Sequence, residues 1–172
     1  MKSRFAILAS LGSALLTGLP AGAQTIPSFS GPTLANDTLR LPPPAPGSRT
    51  ILVLGFSKKS GDACKPWFEG ITAQLKTKPQ IGYYEMPVLA GAPGFVRGMI
   101  VHNMRSTLTP DQQKHFAPIM ENAQAWKDAV HFSAPDDAYV VIIDEHGNIL
   151  WHDSGPWSPD KERTLQQAIS KL

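Results

Sequence analysis

Ile51-Leu52-Val53-Leu54-Gly55-Phe56 is an unbroken apolar run, partly β-branched and without alternation. Such a run is expected of a strand covered on both faces, and with Thr50 in front it predicts the central strand of a sheet. A polar loop over residues 58–63 leads into Cys64-Lys65-Pro66-Trp67. Pro66 suits the first turn of a helix, where its missing N–H would have no partner anyway. That helix is expected to run to Lys76, with Trp67, Phe68, Ile71 and Leu75 at helical spacing and turned toward the sheet.

Residues 81–89 read as a second strand, and the intervening helix gives a crossover of the right length for a parallel pair. Pro87 places the later part of this strand near an edge. Residues 95–105 look helical, Thr109-Pro110 caps another helix starting near Asp111, and residues 121–130 add a further turn or two. Residues 91–131 thus form a helical insertion. Tyr139-Val140-Val141-Ile142-Ile143 is the clearest strand, and Asp144-Glu145-His146-Gly147-Asn148 turns it into Ile149-Leu150-Trp151-His152 as a hairpin. Ser158 caps a last helix beginning at Pro159, whose buried face is expected to hold Leu165, Ile169 and Leu172.

The order β-α-β, helical insertion, β-β-α predicts an α/β fold, a mixed sheet with helices on both faces. It resembles the order of thioredoxin-like proteins. Such proteins keep a dithiol after the first strand of that order, and here the second thiol position holds Trp67 while Cys64 is the only cysteine. A dithiol oxidoreductase attacks with one thiolate and resolves the mixed disulfide with its neighbour, so Trp67 removes the intramolecular resolving step.

The stretch Tyr139-Val140-x-Ile142-x-Asp144-x-x-Gly147-x-Ile149-x-Trp151-x-x-Ser154-Gly155-x-x-x-Pro159 is similar to the mitochondrial ATP synthase assembly-factor family, whose members have a thioredoxin-like domain. Trp151, Ser154 and Gly155 favour that branch over other thioredoxin-like proteins. The resemblance implies a chaperone-like role in assembly. Six residues before Asp144, where thioredoxin-like oxidoreductases carry a cis-proline beside the thiol, stands Ala138. The absence of that proline argues against ordinary dithiol exchange.

Lys2 and Arg4, an apolar stretch over residues 5–19, and Pro20-Ala21-Gly22-Ala23 have the form of a secretory signal peptide cleaved before Gln24. The apolar stretch is shorter than the ~20 residues a membrane span needs. A periplasmic or secreted protein is therefore expected. Without Lys2 and Arg4 the chain has 14 basic and 14 acidic residues. This balance gives no electrostatic reason to bind nucleic acid or an anionic membrane. Residues 24–49, with Pro42-Pro43-Pro44-Ala45-Pro46-Gly47, show no sustained apolar period and read as a Pro-rich linker or wrapping segment before a single domain over residues 50–172.

Cys64 is the candidate nucleophile. A helix N-terminus and Lys58, Lys59 and Lys65 nearby would lower its pKa and allow monothiol or peroxide chemistry. The other reading is a small, partly buried residue in a retired site. Lys65, Pro66, Trp67, Ala138, Trp151, Ser154 and Gly155 are the residues expected around a cleft. Met99, His102 and Met104 offer soft and borderline ligands for copper on one predicted helix, although methionines at helical spacing also serve cores. No phosphate loop, dinucleotide glycine pattern or nucleophile triad occurs, so no cofactor is expected. A protein partner is the favoured ligand.

Overall fold

The structure is a computed structural model and describes residues 24–172. The signal-peptide reading falls on residues 1–23, outside the described residues. The elements in chain order are β1 (Phe29–Pro32), β2 (Thr38–Leu41), β3 (Arg49–Gly55), α1 (Ser60–Leu75), β4 (Ile81–Pro87), α2 (Gly94–Thr107), α3 (Pro110–Gln113), α4 (Ala123–Ala129), β5 (Ala138–Ile143), β6 (Ile149–Ser154) and α5 (Pro159–Ser170).

The main sheet has the order β4-β3-β5-β6, with β3 parallel to β4 and antiparallel to β5, and β5 antiparallel to β6. β3 and β5 are the inner strands and are buried almost throughout, which is why both read as apolar runs without alternation. One face packs Ile51, Val53, Val140 and Ile142 against Ile71 and Leu75 of α1 and Leu165 and Ile169 of α5. The other packs Leu52, Leu54, Val141 and Ile143 against Ile119 and Trp126 of the insertion. The mixed sheet with helices on both faces is thus as the sequence predicts. Leu172 differs from its expectation. It lies beyond the end of α5 and is 40% exposed.

Residues 24–49 contain more structure than their composition suggests. β1 and β2 pair as an antiparallel hairpin, and Ile26, Leu39 and Leu41 enter the core beside Trp126. Leu39 and Leu41 alternate with exposed Thr38 and Arg40. Four residues are too few for that two-residue period to stand out among prolines and glycines. The segment wraps the insertion side of the sheet.

The insertion also closes one sheet edge. Glu85 N–H donates to the His115 carbonyl, Ala117 N–H to the Glu85 carbonyl, and Ile119 N–H to the Pro87 carbonyl. Residues 115–119 therefore run parallel to β4 as an irregular outer strand. Pro87 sits where its missing N–H costs no bond within the four-stranded sheet. At the head of α3, Thr109 and Gln112 form the reciprocal capping box implied by Thr109-Pro110.

Candidate functional site

α1 begins earlier than the proline suggests. Ser57 and Ser60 hold the loop after β3: Ser60 N–H donates to Ser57 Oγ at 3.0 Å, and Ser57 N–H donates to Ser60 Oγ at 3.1 Å. This closure starts the helix at Ser60, so Pro66 lies inside it and not in its first turn. The proline deprives only the Asp62 carbonyl of its usual donor four residues on. Cys64 consequently sits in the second turn, away from the orphan N–H groups that would favour a thiolate.

That shift determines the chemistry of the thiol. Cys64 is 1% exposed, packs with Val53, Trp67 and Ala138, and its Sγ donates to the Leu54 carbonyl at 3.6 Å. Burial raises its pKa far above the ordinary value, and the negative charge of Glu85 raises it further. The expectation of a lowered pKa is thereby corrected. Lys65 is exposed on the outer side of α1, 4.0 Å from Glu69, while Lys59 reaches toward Asp136. Neither is among the causes of the thiol's shift.

Trp67 fills the place of a second thiol with a packed indole. It is fully buried, its Nε1–H donates to the Gly155 carbonyl at 2.9 Å, and its ring meets Trp157 edge-on at a centroid distance of 4.9 Å and Trp151 at 6.4 Å. Gly155 has φ +90, a conformation open to glycine at little cost. Lys161 stands over the Trp67 ring and bonds the Ser154 carbonyl and the Asp153 carboxylate. Trp67, Trp151, Ser154 and Gly155, far apart in sequence, thus converge at the start of α5.

Ala138 is also buried. It pairs with Gly55 across the sheet, and its carbonyl accepts the Gly155 N–H at 2.8 Å. The Ala138 carbonyl is thus engaged with the chain after β6. Among the described residues the cis peptide is Leu41-Pro42, so the bond before Ala138 is trans.

The copper candidates separate. Met99 is exposed, whereas Met104 packs against Leu34, Phe68 and Phe116. Five residues on a helix rotate the second methionine by about 140° from the first. A surface cleft of about 520 Å³ is lined by Gln124, Lys127, Asp128, His131 and Phe132 on the opposite side of the sheet from α1.

Glu85 is the residue that the reading of motifs passed over. It lies on β4 opposite Val53, on the face that carries Ile81 and Tyr83 and looks toward α1. It is buried, and its carboxyl has no hydrogen bond or ion pair among the described residues. Burial pushes its pKa up to about 8. The signal available in sequence was a lone acid at a core-facing position of an otherwise uncharged strand.

No family model matches this chain, and no curated protein matches it in sequence. Solved structures do share its fold. The exposed lipoprotein thioredoxin of Streptococcus pneumoniae superposes with a TM-score of 0.57 at 13% identity, covering 85% of this chain and 100% of that one. A thiol:disulfide interchange protein of the thioredoxin family from Chlorobium tepidum gives 0.54 at 14% identity, over 89% and 98%. StoA from Bacillus subtilis gives 0.51 at 16% identity, over 85% and 98%. The fold is thioredoxin-like.

Proposed function

We propose that this chain is an exported thioredoxin-fold binding protein, chaperone-like in the manner of an assembly factor, in which thiol exchange has been given up. The observation that carries the reading is the state of Cys64: buried, bonded to the Leu54 carbonyl and held protonated. A monothiol oxidoreductase or peroxide-reactive protein needs the thiolate. The replacement of the second thiol by a hydrogen-bonded indole supports the same reading.

The insertion supplies a binding surface. α2 buries none of its residues fully, and it presents Phe95, 80% exposed, and Met99, 56% exposed, one turn apart. Arg97 and Arg105 fix the helix to the body through the carbonyls of Ala92, Met120 and Leu34. A rigid helix with an apolar outer face suits a protein partner. No helix of the described residues is long and apolar enough to cross a membrane.

Alkylation provides the test. The native protein at pH 8 should leave Cys64 unmodified by iodoacetamide over hours, while the urea-unfolded chain reacts fully. A Cys64→Ser chain should restore a deletion strain as well as the native chain, whereas Phe95→Asp with Met99→Asp should not. Formation of a glutathione mixed disulfide by the native protein would overturn the reading.

A further inference from the structure

The two edges of the main sheet are finished differently. Residues 115–119 pair with the β4 edge from Glu85 onward. Among the described residues the β6 edge is closed only at its ends. At its start, residues 24–26 run antiparallel to it, with Ile149 N–H donating to the Gln24 carbonyl at 2.8 Å and Ile26 N–H to the Gly147 carbonyl at 2.9 Å. At its far end, the Ser154 N–H donates to the Asp153 carboxylate and the Ser154 carbonyl accepts the Lys161 ammonium.

Between these ends no other described residue pairs with this edge. The bond from Gly155 N–H to the Ala138 carbonyl sets the phase of the β5–β6 ladder. Asp153 and Trp151 then exchange bonds with β5, and the N–H and C=O of His152 point outward. Leu150 is 48% exposed and, with Trp151, Ala168 and Leu172, lines a cleft of about 440 Å³ between β6 and α5. β6 carries neither the lysine nor the proline that commonly blunts an open edge, although its ladder with β5 shifts register at Leu150 and Asp153 is charged.

We propose that the β6 edge at Leu150–His152 binds an extended, uncharged segment of a partner protein as an added antiparallel strand, with apolar side chains at alternate positions entering the cleft beside α5. Residues 24–26 pair antiparallel with Asn148 at the head of this edge, so a strand can approach it from that side. The preceding residues of the chain suit it poorly. In continued register Leu19-Pro20-Ala21-Gly22-Ala23 would bring a proline without an N–H and three weak strand formers. A second copy fits no better, because symmetric pairing about His152 sets Leu150 opposite Ser154, whose backbone is already bonded. The proposal rests on the binding reading and names the kind of partner segment for it.

The test uses the full chain and an acetylated, amidated heptapeptide of alternating threonine and valine. Peptide binding should slow hydrogen exchange at the His152 amide by about tenfold or more, as for a strand added to an edge. His152→Pro, whose lost N–H faces outward and leaves the β5 ladder whole, should weaken binding by at least about tenfold. Leu150→Lys should do the same and serves if the proline variant does not fold. Unchanged binding in these variants, or protection confined to Phe95 and Met99, would overturn the proposal. So would protection of His152 without peptide that disappears on dilution, which marks a second copy, or on removal of residues 1–23, which marks the chain's own leader. A reactive Cys64 would instead remove the binding-only reading and leave this edge untouched.

Discussion

Trp67→Ala should lower stability by about 3–5 kcal/mol, the range for removing a large aromatic side chain from a packed core. The indole has no solvent-exposed surface, and its edge contacts with Trp151 and Trp157 disappear with it. Its loss also strips the Gly155 carbonyl of its donor. Urea unfolding followed by circular dichroism measures the change, provided the m-value stays constant. Trp67→Phe keeps most of the apolar contact and should cost about 1–3 kcal/mol for the unpaired buried carbonyl. Trp67→Cys spells a dithiol motif again but should give no disulfide reductase activity, because Cys64 remains buried under Leu54. A Trp67→Ala chain within about 1 kcal/mol of native would contradict the packing described.

The same residue shows what the sequence could and could not convey. The spacing of Trp67, Phe68, Ile71 and Leu75 announces a helix face, and all four are buried. The order of strands was legible because the two inner strands are uninterrupted apolar runs and the hairpin turn carries Asp144 and Gly147. The start of α1 was not legible. Proline in a first turn is the common pattern, and the Ser57–Ser60 pair that starts the helix earlier is a loop closure with no periodic signal. That displacement of four residues turns Cys64 from a group at a helix terminus into a core residue. Trp151 and Gly155 carried the family resemblance, and in the structure they surround the Trp67 indole. Their presence is explained by packing, so they weigh less as evidence for a shared partner. The hairpin of residues 29–41 was hidden because its strands are four residues long.

Glu85→Gln should stabilise the protein increasingly as pH rises from 5 to 8. Burial raises the folded-state pKa from the ordinary 4.5 to about 8, so between these values the native state binds the proton more tightly than the unfolded chain. Stability is therefore greatest below the unfolded pKa and falls as pH rises through the folded one. At about 1.4 kcal/mol per pH unit, holding this proton against release from the unfolded chain lowers stability by on the order of 3 kcal/mol at pH 7 and 4 kcal/mol at pH 8. The glutamine variant carries no such proton. Its unfolding free energy should match that of the native chain below the unfolded-state pKa, at about pH 3.5, and exceed it by that margin at pH 8, in urea titrations at matched ionic strength. Equal pH profiles for the two chains would show that Glu85 is solvated. The variant also separates two causes acting on Cys64. Glu85 adds a negative charge near the thiol, but burial is the larger cause. Alkylation of the folded variant should therefore remain as slow as in the native protein, and a thiol freed by Glu85→Gln would mean that the charge, not the packing, keeps this cysteine silent.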